Sequence, residues 1–228
     1  MSDVDDDGGG RLGHLFPKTE MERGDRLIEF VSAALLALAT VAIAWSGYQA
    51  TRWGGEQSNA FAAAGADRVE SVRASGLAET QAAIDVSLWT EWVDARAEGS
   101  PEQAAFYRER FRDEFKAPFQ EWIDSDPLDN PDAAATPFAL PSYSLEAEEI
   151  ADRLATEADA AATEARQANQ RGDNYVLAAV LYATVLFFAG ISTKFVSRRL
   201  KAGGLAMAGL IFVLAFVWML TMPVSFGV

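Results

Sequence analysis

Leu27 to Trp53 reads LIEFVSAALLALATVAIAWSGYQATRW, and from Phe30 to Trp45 it carries no charge. At about 1.5 Å per residue, roughly 20 apolar residues cross a ~30 Å hydrocarbon core. The stretch predicts a transmembrane helix and makes the chain an integral membrane protein. Ala33, Ala37, Thr40, Ala44 and Gly47 recur at spacings of four and three, which places them on one seam where a second helix backbone is expected to come close. At the far end Trp45, Tyr48 and Trp53 cluster with Gln49 and Arg52, the composition of an interfacial aromatic belt.

Residues 1–26 precede this span as an acidic, glycine-rich tail opening with DVDDDGGG, a composition that cannot bury a core and is expected to be disordered. The apolar run is long for a signal peptide and its leader is long and acidic, so an uncleaved anchor is expected rather than cleavage near Ala42-Ile43-Ala44. A second span covers residues 174–193, with YVLAAVLYATVLFFAGIST as its apolar run, and a third covers 203–222, stopping at Pro223. Arg11, Lys18, Arg23 and Arg26 flank the first span, and Lys194, Arg198, Arg199 and Lys201 fill the 194–202 link. Basic residues in short flanking segments stay on the cytoplasmic side. The N-terminus and the link are therefore expected inside the cell membrane, with residues 54–173 outside. The 223–228 tail is also expected outside, and too short to form structure.

From Arg52 to Asp173 the chain holds 11 basic and 25 acidic residues, a balance of −14 that equals the formal charge of the whole chain. So acidic a balance argues against a nucleic-acid surface, which would need a basic patch, and no nucleic-acid partner is expected. Absence of cysteine excludes a disulfide framework and thiolate metal sites, and the single histidine, His14, excludes histidine triads. Glu56 to Glu98 has no proline and a helix-forming composition, with Val69, Val72, Ala82 or Ala83, Val86, Trp89 and Val93 close to a four-three repeat. Gly65 and Gly76 weaken this helix, and Gly99 is expected to end it. Ser100-Pro101-Glu102-Gln103 then reads as a capping box with proline at the first helical position. Tyr107, Phe111, Phe115, Phe119 and Trp122 follow at helical spacing as a core stripe, with Pro118 expected to kink or divide the helix. Four prolines between 124 and 144 predict a loop, pinned across the helices by Phe138, Leu140 and Tyr143.

Ser144 is expected to cap a helix running unbroken from Leu145 into the second span. Its seam is Leu154, Ala158, Ala161, Ala165, Ala168 and Gly172, suited to close antiparallel packing against the helix leaving the first span. The fold expected is all-α: three transmembrane helices with an extracytoplasmic helical bundle of coiled-coil type between spans one and two.

Sites with chemistry are sparse. Asp124, Asp126, Asp129, Asn130 and Asp132 form an acidic loop, but its sixth and twelfth positions are Asp129 and Ala135, where a calcium loop needs glycine and glutamate. Glu29, at the border of the first span, is expected to pair with Arg26 or Lys194. No phosphate loop, nucleophile elbow or metalloprotease helix is present. No catalytic, cofactor-binding or metal-binding residues are therefore assigned, and no cofactor is implied.

The string Trp45-Ser46-Gly47-Tyr48-Gln49-Ala50-Thr51-Arg52-Trp53-Gly54-Gly55-Glu56-Gln57 resembles a segment of uncharacterised small prokaryotic membrane proteins. Two spans holding an outer helical bundle also resemble the sensory half of bacterial chemoreceptors, although here a third span replaces the cytoplasmic signalling module. The reading is a non-enzymatic membrane protein whose bundle serves assembly, scaffolding or ligand sensing through a partner protein or homo-oligomer. The alternative is a subunit of an oligomeric channel or transporter.

Overall fold

The computed structural model describes residues 18–127 and 129–226. Among the described residues five helices follow in order: α1 (Lys18–Ala97), α2 (Pro101–Glu109), α3 (Asp113–Asp124), α4 (Glu146–Ser192) and α5 (Arg198–Leu220), with a 3₁₀ turn at Pro137–Ala139. No strand occurs among the described residues. Three helices, α1, α4 and α5, are long and apolar enough to cross a membrane. Of the 1–26 tail expected to be disordered, residues 18–26 instead belong to α1, and residues 1–17, with Arg11 and His14, lie outside the described residues.

The chain divides into two compact units, residues 1–57 with 167–228, and residues 58–166. In the first, α1, α4 and α5 pack as three helices. Leu35 and Ala39 meet Val185, Ala189 and Ala208, while Ala42 and Trp53 join a second cluster with Tyr175, Ala178, Tyr182 and Ala215. Close approach is set by small residues: a Cβ added at Gly204 of α5 would lie 3.1 Å from the Ser192 Cβ of α4. Leu27, Phe30, Leu38 and Val41 face outward. An apolar exterior around a smaller, more polar interior is the arrangement a lipid solvent favours.

This packing corrects the seam expected of α1. Ala33, Ala37, Thr40, Ala44 and Gly47 are all exposed, and the buried stripe is Ser32, Leu35, Ala39, Ala42, Ser46, Gln49 and Trp53. Both sets have three-four spacing, and the hydrogen-bonding residues decide between them. Ser32 donates to the Ala189 carbonyl at 3.4 Å, and Ser46, Gln49 and Trp53 find partners near the end of α5. Burying such groups with partners avoids the cost of leaving a polar group unpaired among apolar side chains.

In the second unit α1 and α4 run antiparallel. Ala64, Ser71, Ala78 and Asp85 of α1 are buried at intervals of seven, and Ser71 donates to the Ala151 carbonyl at 2.8 Å. On α4, Ala158 and Ala165 are fully buried, with Leu154 and Ala161 half-buried, as the alanine seam predicts. Val69, Val72 and Val86, expected on the packed face, point to solvent instead. The helix is unbroken at Gly65 and Gly76 and stops at Gly99, whose φ is +74°. There the Ser100 N–H reaches the Ala95 carbonyl and the Gly99 N–H reaches Arg96, the paired bonds of a left-handed helix terminus.

Helix α2 starts at Pro101, but the Ser100 side chain forms no cap, so no capping box is present. Nor does Pro118 divide the helix. It lies buried inside α3, and the break falls at residues 110–112. Breaking there turns Phe111, Phe115, Phe119 and Trp122 together into one cluster with Trp89, Trp92 and Phe138. Tyr107, before the break, is only half-buried and donates from its hydroxyl to Glu91 at 3.1 Å. The loop is pinned as expected: Phe138 stacks on Phe115 with centroids 5.0 Å apart, and Tyr143 meets Phe138 edge-on at 5.1 Å. Helix α4 begins at Glu146 with the Leu145 carbonyl accepting the first N–H groups, and Ser144 does not cap it.

Candidate functional site

The most unusual chemistry in the 58–166 unit surrounds Asp85. Its position on the buried seven-residue repeat of α1 takes a carboxylate fully out of solvent. The break between α2 and α3 places Arg112 at the start of α3, where its guanidinium donates to Asp85 Oδ2 at 2.9 Å and also pairs with Glu114. From the loop, the Tyr143 hydroxyl donates to the same Asp85 oxygen at 3.2 Å. One carboxylate oxygen thus gathers α1, the α2–α3 corner and the loop before α4.

The other oxygen does not. Asp85 Oδ1 is buried without a hydrogen-bond partner, as are Gln81 Oε1 one turn before it and Trp89 Nε1 one turn after. Burial, the largest influence, raises the Asp85 carboxyl above its ordinary value, against the pull of Arg112 and Tyr143. Burial and the neighbouring Asp85 charge push the Tyr143 phenol up to about 12, so it stays a hydrogen-bond donor at physiological pH. A groove of about 420 Å³ opens beside this network, lined in part by Glu70, Arg73, Leu77, Gln81, Glu114 and Glu146. Glu70 pairs with Arg73 at 2.6 Å and Glu114 with Arg112, so much of the charge lining the groove is already matched.

In the other unit, polar side chains near the end of the first apolar stretch receive the chain end. Gln49, fully buried, donates to the Ser225 carbonyl at 3.3 Å and accepts from the Ser225 N–H at 3.0 Å. Trp53 Nε1 and the Tyr175 hydroxyl both donate to the Pro223 carbonyl, each at 3.2 Å. The tail, expected to form nothing, is therefore held in place through residue 225. Gln49 and Trp53 accordingly serve as its dock rather than as a belt. Tyr48 is exposed beside half-buried Trp45, with ring centroids 5.9 Å apart, as belt residues would be.

The acidic loop spends its polar groups on its own turns. Asn130 donates to the Ser125 carbonyl at 3.0 Å and accepts the Asp132 N–H at 3.0 Å, while Asp124 accepts from Gln120 at 2.7 Å. Among the described residues no three of His, Asp or Glu converge to hold a metal ion. Glu29 is exposed and makes no ion pair with Arg26, Lys194 or any other described residue. Sequence reasoning missed Asp85, Arg112 and the Gln49–Ser225 pair. The signal for Asp85 was present in the spacing Ala64, Ser71, Ala78, Asp85, which is small or polar at each seventh residue.

No family model matches the chain, and no curated protein or solved structure is detectably similar to it. The resemblances of the 45–57 string and of the chemoreceptor-like layout accordingly gain no support from a match, and what the chain shows of itself is an all-helical build with three membrane-length helices.

Proposed function

We propose that the chain is a non-enzymatic integral membrane protein whose 58–166 unit stands outside the cytoplasm as a helical bundle of coiled-coil type. In this reading the unit serves assembly, scaffolding or ligand sensing through a partner. One observation carries it: α1 and α4 are each a single unbroken helix containing both a membrane-length apolar window and one strand of the α1–α4 pair in the polar unit. A partner engaging the bundle would then act on two helices that continue covalently into the bilayer. Exposed Lys194 between α4 and α5, with exposed Arg198 and Arg199 in the first turn of α5, supports a cytoplasmic link by the positive-inside rule.

The alternative, a subunit of an oligomeric channel or transporter, draws on a different observation. The small-residue seam Ala33, Ala37, Thr40, Ala44 and Gly47 is unused within the chain, and such seams let a second membrane helix approach. Mass measurement in mild detergent separates the two, since a closed ring supports the pore and a monomer eliminates it. Orientation is tested with cysteines at Ser87 and Ser197, both exposed. An impermeant thiol reagent on intact cells should label Ser87→Cys and spare Ser197→Cys. The reverse pattern overturns the topology.

A further inference from the structure

The geometry points to Asp85 as the proton-binding element of an acid-strengthened lock that ties α1 to the α2–α3 corner and to the loop before α4. The proposal concerns the 58–166 unit alone and holds whichever face of a membrane that unit occupies.

An ionised carboxylate buried this completely needs all its lone pairs occupied, because each orphan acceptor retains its full desolvation cost. Asp85 meets that need on Oδ2 only, through Arg112 and Tyr143. Oδ1 has no donor, and Gln81 Oε1, one helical turn away on the same face, is a second buried acceptor without one. Two neighbouring acceptors lacking a donor are what a proton from bulk solvent would relieve: bound to Oδ1, it turns that oxygen into a donor and removes the buried charge. Arg112 would not be stranded by the change, since it also pairs with Glu114.

The groups facing Asp85 leave the proton to it. Arg112 from the corner brings a guanidinium, and Tyr143 from the loop keeps its own proton up to about 12. Glu114 of α3 acts on Arg112 and Glu148 of α4 acts on Tyr143, each one step removed from Asp85. Gln81 and Trp89, its neighbours on α1, do not titrate. Burial holds the folded-state carboxyl above its ordinary 3.8, so the folded chain binds this proton more tightly than the unfolded chain. The stability it contributes is full below that ordinary value and is lost as pH rises through the folded one.

The test is thermal unfolding of the full chain in mild detergent between about pH 7.5 and pH 4, comparing the natural chain with Asp85→Asn and Tyr143→Phe. Other carboxylates titrate in this window, so the readout is the difference in Tm between the natural chain and Asp85→Asn. On acidification that difference should move in favour of the natural chain, by about 3–5 °C for each tenfold by which the folded chain binds the proton more tightly than the unfolded chain. Tyr143→Phe keeps the ring contacts and removes a hydrogen bond to the charged form, so the midpoint should move to higher pH. A flat difference overturns the proposal, as does a natural chain that loses ground to Asp85→Asn in acid, which would mark an ordinary ion pair. If Asp85→Asn does not fold, the pH midpoint of tryptophan fluorescence decides, read in the natural chain and in Tyr143→Phe. A midpoint that stays put or moves to lower pH sinks the idea.

Discussion

Within the 58–166 unit, α1 meets α4 through alanines, whereas α3 meets both α1 and the loop before α4 through aromatic rings. Ala64, Ala78, Ala158 and Ala165 are buried on the first contact, and Phe111, Phe115, Phe119 and Trp122 on the second. Each alanine removes little apolar area from water, so its contribution lies in letting two backbones approach, as the Ser71 to Ala151 carbonyl bond illustrates. Each aromatic ring buries a large area and adds edge-to-face contacts, such as Phe111 on Phe119 at 4.8 Å and Trp92 on Phe119 at 4.9 Å. One contact sets geometry and the other supplies most of the hydrophobic stabilisation.

The largest effect should therefore come from the aromatic side. Phe115 is fully buried and touches Phe111, Phe119, Phe138 and Tyr143. Phe115→Ala should cost about 3–5 kcal/mol, read by denaturant unfolding with near-ultraviolet circular dichroism. Phe106→Ala is the control, because Phe106 is half exposed and should change stability by less than about 1 kcal/mol. Equal losses for both would mean that the ring cluster is not the core of this unit.

The alanine contact is sharpened by enlargement rather than truncation. Ala158→Leu and Ala165→Leu introduce side chains where none fits and should each cost about 1–3 kcal/mol. Exposed Ala155→Leu and Ala160→Leu should stay within about 0.5 kcal/mol, since leucine and alanine have similar helix propensity. Differential calorimetry on the four variants reads the contrast. Matching behaviour of the two pairs would remove the close-packed seam and leave the aromatic cluster as the unit's only well-ordered contact.

The same difference explains what could be read from the chain beforehand. The stripe Phe111, Phe115, Phe119 and Trp122 declared itself because large apolar residues have few other places to go. The stop at Gly99 and the unbroken α4 were legible for local reasons, a left-handed terminus and an uninterrupted helix-forming composition. The packed face of α1 was not legible. Small and apolar residues surround that helix, so Ala33, Ala37 and Ala44 looked as suitable as Ala39 and Ala42, and the outward Val69 and Val72 looked better than the inward Ser71 and Asp85. What chose the face was the location of hydrogen-bond partners on other elements: the Ala151 carbonyl for Ser71, Arg112 for Asp85 and Ser225 for Gln49. A three-four pattern carries no record of those partners. The Asp85 site was invisible for the same reason, because it assembles from residues at 85, 112 and 143.

The smallest effect tests the outer face of α1, where neither kind of contact operates. Gly76 is exposed in mid-helix, and a Cβ added there meets nothing within 4 Å. Its only influence is on the backbone, since glycine loses more conformational freedom on folding than alanine does. Gly76→Ala should therefore stabilise the chain by about 0.5–1 kcal/mol. At Gly99 the same substitution also meets open space, but φ there is +74°, a conformation that costs an L side chain about 1–2 kcal/mol. Gly99→Ala should destabilise, so two glycines with equally empty surroundings should give opposite signs in thermal melts. Loss of stability at Gly76 would show that this outer face is occupied in the natural assembly, where the added methyl group would collide with a neighbouring chain.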